Sequence, residues 1–544
     1  MGIKAVLLAS VCCGATALTP VLAKGQSAPD LDKIDRLQRQ VEQLQEQLKS
    51  RTEQLQEQLK LLKSEMAQTK KKGVQKEPLQ GAYAAEVPGG ANSQNVKASA
   101  PAPAAVVKMS ANNRPSICTA DGQNCIGLTS RVYFDAGGYS YHPNSAATTV
   151  RDLNDGVNVR QARIGVLGTF LSDWNYALVY DFGGSSDGFG NQASGPNATP
   201  PSSGPLPGGH RSGIENAYLQ FTGLEADGVS SIEELGYINV PYTLDQSTSS
   251  NDIMFMERAS AQITAVDIAA GDFRSAGGTR VYTDRFWAGA YATGPRSGAI
   301  HNLQSTATVN GSTEQFGSTG RIAYQLLQEK DYTLHIGGDA EFLFKPPVNT
   351  TTGIRSLPAL SDRPELRIDP TALISTGTIT NVSGAQVYSG ELAGTYGPLF
   401  VQGEYFWFDI NRQFGLPGLN FQGGYAEAGL TLTGESRNYI PATGSYGLIV
   451  PKDPFSVATG GLGAFEIAAR YSVMNLNDLL GNVNGIAGGK QSVFTAGLNW
   501  YATRNIEFTL NYLHGIVDKQ TTPLVANNAG SAYNAFGMRT QIAF

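Results

Sequence analysis

Arginine supplies the chemistry that this chain offers most readily. Short contexts set guanidinium groups among small, aromatic or polar neighbours: Arg131 in "SRVYFDAGG", Arg160 and Arg163 in "NVRQARIGV", Arg258 in "MERAS", and Arg363 with Arg367 in "SDRPELRID". A guanidinium is planar, permanently charged and fork-shaped, so it matches the oxygens of phosphate or a carboxylate in pairs. Rings of such groups around a narrow passage are one way to favour anions. The alternative role for every one of these arginines is to neutralise a nearby Asp or Glu. Catalytic constellations are missing: the five histidines, at 142, 210, 301, 335 and 514, are scattered, and no HExxH, phosphate-binding glycine loop or nucleophile elbow occurs. No enzyme, cofactor or metal is expected.

Cys118 and Cys125, in "CTADGQNC", enclose a polar, glycine-containing stretch that suits a turn. In an oxidising compartment they could form a disulfide; free thiols are the alternative. Zinc would need more ligands than this stretch provides.

Positioning those arginines is a matter of strands. From about residue 127 onward, segments of alternating apolar and polar residues are separated by turn-rich stretches. In "WNYALVYDF" Trp174, Tyr176, Leu178, Tyr180 and Phe182 share a face; in "IEFTLNY" Ile506, Phe508, Leu510 and Tyr512 oppose Glu507, Thr509 and Asn511; in "NAFGMRTQIAF" Phe536, Met538, Thr540, Ile542 and Phe544 oppose Gly537, Arg539, Gln541 and Ala543. Charged residues make up only 16% of the 544, against roughly 25% in soluble domains. Strands with one oily and one wet face, in hydrocarbon, survive only when closed into a cylinder that leaves no backbone group unpaired. About fifteen strands are legible, against the even number usual for bacterial barrels, so one more is expected before residue 131 or within 350–384. Aromatics near strand ends (Tyr139, Tyr141, Trp174, Trp287, Tyr291, Trp407, Trp500, Tyr501) are read as girdles at the two membrane interfaces. Alternation turns Arg131, Tyr133 and Asp135 to the lumen. Between Arg160 and Ile164 it sends Gln161 and Arg163 inward and Arg160 outward, unless Arg160 is freed at a rim.

The N-terminal region is different. Residues 1–23, with Lys4 and an apolar run to Ala23, read as a secretory signal that would carry Cys12 and Cys13 away. Over 30–66, Ile34, Val41, Leu48, Leu55 and Leu62 recur every seven residues with Leu37 and Leu44 between, an α-helical coiled coil that favours self-association without fixing its strand number. Residues 67–117, rich in Ala, Pro, Lys and Ser, read as a flexible linker, and 118–544 as the barrel.

The stretches "DGVNVRQARIGVLGTFLSDWNYALVYDFGG", "IENAYLQFTG", "AEAGLTLTGESRNY" and "KQSVFTAGLNWYATRNIEFTLNYLHG", with the final strand, resemble the phosphate-selective porin O/P family. The resemblance implies an all-β fold, a 16-stranded antiparallel transmembrane β-barrel, usually trimeric, in the bacterial outer membrane. It implies a third loop, here about 240–278, folded into the lumen. By the same resemblance Arg131 and Arg258 match constriction arginines, Arg160 matches the first of an adjacent pair whose second member is Gln161 here, and Arg363 and Arg367 lie near an anion-capturing arginine row. Arg274 and Arg280 are further lumen candidates. The apolar patch "IMFM" within the third loop must bury against the inner wall or a neighbouring protomer.

The expected function is an outer-membrane pore for passive diffusion of small anions, with phosphate as one candidate, through an arginine-lined constriction. The expected partners are small anions, outer-membrane lipid, two further copies of the chain, and peptidoglycan for a periplasmic coiled coil; nucleic acid is not expected. The competing readings are a structural tether of outer membrane to cell wall through the coil, and a non-selective or sugar pore.

Overall fold

Period-two sorting becomes a closed wall. The structure is a computed structural model and describes residues 105–110, 113–147, 149–183, 213–271, 273–296, 312–313, 315–329, 332–349 and 352–544. The leader, the coiled coil over 30–66 and most of the linker lie outside these. Sixteen antiparallel strands close on themselves: β1 (Cys125–Pro143), β2 (Gly156–Phe170), β3 (Trp174–Asp181), β4 (Gly213–Phe221), β5 (Val229–Ile238), β6 (Arg274–Tyr282), β7 (Phe286–Arg296), β8 (Phe316–Gln328), β9 (Tyr332–Lys345), β10 (Val382–Tyr396), β11 (Leu399–Arg412), β12 (Leu419–Thr431), β13 (Ala464–Asp478), β14 (Ile486–Thr503), β15 (Ile506–Asp518) and β16 (Ser531–Ala543). Closure runs from Ser531 opposite Pro143 to Ala543 opposite Arg131. Beyond it, Phe544 and Ser130 exchange both backbone hydrogen bonds, at 2.9 and 3.0 Å. The last strand therefore has no open edge, which is what a hydrocarbon solvent demands. No barrel strand falls within 352–381, and β1 already begins at Cys125.

Two short strands extend the sheet beyond the end of β16: Pro115–Thr119 pairs with the start of β1, and Ala105–Met109 pairs with Pro115–Thr119. Cys118 and Cys125 face each other in that register and are bonded, with Cα atoms 4.0 Å apart.

Connections at one rim are short, as at 171–173, 283–285, 397–398 and 504–505; those at the other include 239–273 and 346–381. The exception is 432–463, long but on the short-turn rim. Three connections carry side chains into the barrel. Segment 239–273 holds α1 (Leu244–Ser247) and α2 (Ser260–Val266). Its Met256, Ala261 and Ile268 join Leu357, Leu366 and Ile374 of segment 346–381 in a buried apolar cluster with Leu343, Phe406, Phe408 and Leu513 of the wall. Met254 and Phe255 bury against Phe400 and Ala468, so the "IMFM" patch packs on the inner wall. Segment 432–463 adds Tyr446 to that second cluster.

The aromatic girdle needs correction. Trp174 contacts Phe170 and Phe221, and Trp500 contacts Phe465 and Phe508; these line the outer face. Trp287, Tyr141, Tyr291 and Tyr501 instead point inward and are buried. Trp287 lies 4.9 Å from the Arg321 guanidinium and donates through Nε1 to the Ala442 carbonyl of segment 432–463. Position near a strand end tells the depth of an aromatic residue, not its face.

Candidate functional site

β2 carries one residue too many for its partner. Tyr133 pairs with Gln161 and Phe134 with Val159, leaving Arg160 in a bulge. A bulge breaks the two-residue period and re-aims a side chain. Val157 and Val159 face outward at 69% and 42% exposure, while Arg160 and Gln161 are both buried on the inner side. This settles the parity conflict: Arg160 points inward although uninterrupted alternation would send it to lipid.

Once inside, Arg160 meets Glu257 of the third loop in two parallel bonds, Nε to Oε1 at 2.7 Å and Nη2 to Oε2 at 2.9 Å. Glu257 also receives Arg539 Nη2 at 3.0 Å and Arg367 Nε at 3.2 Å. Arg539 in turn holds Asp135 at 2.8 and 2.7 Å across the β16–β1 seam. Burial by itself would raise the Glu257 carboxyl; Arg160 and then Arg539 hold it below its usual range. One carboxylate thus gathers arginines from the wall, from the seam and from segment 346–381.

The other candidates scatter. Arg258 folds back within its own loop onto Asp245 Oδ2, at 2.8 Å, and the Thr248 carbonyl, at 2.9 Å. Arg363 donates to the Pro370 carbonyl at 3.1 Å. Arg163 pairs with Asp181 at 3.1 Å and with Glu215. Arg280 pairs with Glu234 at 2.8 Å, and Arg274 donates to the Ala270 and Val266 carbonyls. Arg131 stands directly across from Arg163 in the β1–β2 register. Its guanidinium is held by two hydroxyls, Ser250 and Ser249, and among the described residues it forms no salt bridge. It is half-buried on the inner face.

Several members were not singled out from the sequence. Arg470 binds Glu365 at 2.7 Å and the Glu257 carbonyl at 2.8 Å. Arg437, on segment 432–463, binds Glu466 at 3.1 Å and the Tyr501 hydroxyl at 3.0 Å. Arg321 binds Glu391 at 3.0 Å. For Arg539 the signal was on the page, since alternation in the last strand already placed it opposite the oily row. Glu257 had no such signal, because nothing local marks a loop carboxylate as the meeting point of three distant arginines. Asp362, in segment 346–381, accepts from Ser260 Oγ at 2.7 Å and is pushed up to about 7 by burial.

Chemically, this lumen mixes both signs at close range. Each paired guanidinium has its field largely cancelled by its carboxylate. Among the arginines described above, Arg131 differs in having hydroxyls rather than a carboxylate in direct contact with its guanidinium.

The sequence model of the family described as phosphate-selective porin O and P matches residues 126–544. An uncharacterised protein of Caulobacter vibrioides is 30% identical over 249 residues, 45% of this chain and 46% of that protein, so the match spans just under half of its length. Porin O of Pseudomonas aeruginosa is 21% identical over 415 residues, 72% of this chain and 82% of that protein. Among solved structures, the anion-selective porin of Comamonas acidovorans is 14% identical and matches 77% of this chain and 100% of its own, with a TM-score of 0.40. OmpT of Vibrio cholerae is 10% identical and matches 78% and 98%, with a TM-score of 0.42.

Proposed function

The chain belongs to the phosphate-selective porin O and P family, and on that premise we propose that this outer-membrane porin passes small anions by passive diffusion, with Arg131 as a principal anion contact. The observation that supports this reading is the state of Arg131. It is held by the hydroxyls of Ser249 and Ser250, beside Arg163, with no carboxylate in salt-bridge reach among the described residues. Glu215 and Asp252 act on it only from beyond salt-bridge distance, and a guanidinium without a directly bonded carboxylate on a lumen wall lowers the cost of moving an anion out of bulk water. Phosphate is the finer possibility, because a guanidinium fork suits its oxygens. Gln161, where the family pattern has a second arginine, and the carboxylate partners of Arg160, Arg258 and Arg367 weigh against strict phosphate selectivity.

A second reading, a weakly selective pore for small solutes, is favoured by that same carboxylate pairing. Self-association as a homotrimer, with the heptads of 30–66 in the periplasm reaching towards the cell wall, completes the proposal. Bilayer conductance of the purified protein in chloride, phosphate and gluconate, together with the reversal potential in a potassium chloride gradient, tests it. Anion preference is expected, and Arg131→Ala should move the potential towards cations. A potential that stays put removes Arg131 from the filter.

A further inference from the structure

Carboxylates crowd the inner wall along β9, β10 and β11. Asp339, Glu391 and Glu404 are all buried, and one oxygen of each lies within 4.8 Å of the other two. Glu341 sits on the same face of β9, two residues from Asp339. Arg321 is the guanidinium among them. It binds Glu391 at 3.0 Å and stands 3.8 Å from Asp339 Oδ1, and His335 Nε2 meets Glu391 at 2.9 Å. Buried carboxylates in such excess over nearby cations are costly unless they take up protons or a further positive charge joins them.

Two buried polar groups point to where that charge would sit. Asp339 Oδ1 has no hydrogen bond, while Ser389 occupies Oδ2. The Tyr242 hydroxyl, fully buried on the third loop, makes no hydrogen bond of ordinary length, with Ser389 its nearest polar neighbour, and feels the fields of Glu341, Asp339 and Glu404. We propose that Asp339, Glu391 and Glu404 hold a calcium-type divalent cation that pins the third loop to the barrel wall. No two of the three oxygens are more than 4.8 Å apart, so any pair of them can share an ion at about 2.4 Å, within the range for calcium. The all-oxygen set suits a hard ion, and its irregular arrangement suits calcium better than the strictly octahedral magnesium. Arg321, His335 and Ser389 orient the ligating carboxylates from behind. Glu404 also accepts the Leu244 and Asp245 backbone N–H groups at 2.8 and 3.1 Å, so an ion on Glu404 would be mechanically joined to the third loop.

The test uses full-length protein refolded in detergent free of lipopolysaccharide, stripped with chelator and dialysed against radioactive calcium. About one ion per protomer is expected, with affinity falling about tenfold or more in Asp339→Asn, the scale of loss seen on disturbing a metal site. Absence of binding by the wild type, or equal binding by the variant, overturns the proposal. Should Asp339→Asn fail to fold, the wild type alone decides: calcium must raise its thermal midpoint over that in chelator, and equal midpoints overturn the site. Ion selectivity in the bilayer is a separate readout, so a calcium site in a non-selective pore would support this inference while sinking the anion reading.

Discussion

Arg160 and Glu257 form a doubly bonded pair, at 2.7 and 2.9 Å, that ties a bulge in the barrel wall to the third loop. The pair exists because β2 breaks its own alternation at that point. It also means that this guanidinium, one of the expected anion contacts, is met by a carboxylate of the same chain.

Replacing Glu257 by Gln removes the charge that Arg160, Arg367 and Arg539 share. The reversal potential in a potassium chloride gradient should move towards anions. Breaking a buried pair from one side should also lower stability by about 3–5 kcal/mol, seen as an earlier loss of the folded band on heating. An unchanged potential would mean that ions do not pass near Glu257.

Arg437 anchors segment 432–463 through Glu466 and Tyr501 of the wall and the Asp252 carbonyl of the third loop. Arg437→Ala should loosen that segment while the strands stay paired. Single-channel conductance should rise, and limited proteolysis should cut within 432–463 while the barrel remains whole. A variant with wild-type conductance and no new cut would show that the segment's other contacts, among them Trp287 and Arg321 on the carbonyls of Ala442 and Gly444, suffice to hold it.

Asp362 gives a pH dependence. Burial raises its folded value to about 7 from an ordinary 3.8, against the opposing hydrogen bond from Ser260. The fold therefore favours the protonated form. The stability it contributes is full below about pH 4 and is lost as pH rises through about 7. Thermal midpoints of the wild type should fall relative to those of Asp362→Asn over that window. A constant difference between the two proteins from pH 4 to 8 would contradict this.

Deleting residues 30–66 should leave single-channel conductance nearly unchanged, since the sixteen strands and the in-folded segments all lie after residue 124. A deletion variant that inserts into the bilayer yet conducts nothing would assign the heptads to the pore itself.

Alternation along a strand is a local property, so much of the wall was legible by reading. The oily row Phe536, Met538, Ile542 in β16 and the row Phe508, Leu510 in β15 face outward, with Arg539 and Glu507 inside. Closure, too, followed from the solvent, because an unpaired edge in hydrocarbon is too costly to persist.

What the residues alone determined was therefore the two-faced strand and the need to close it. Tertiary structure decided which charges meet. Asp135 and Arg539 are 404 positions apart and become neighbours only at the seam. Arg160 turns inward only because β2 bulges, Arg258 is drawn back by Asp245 within its own loop, and Trp287 faces the lumen beneath Arg321. The physical reason is range. Side-chain period is set by successive backbone dihedrals, whereas the field at a lumen arginine is set by carboxylates brought to it by strand register and loop packing, which no short stretch of sequence contains.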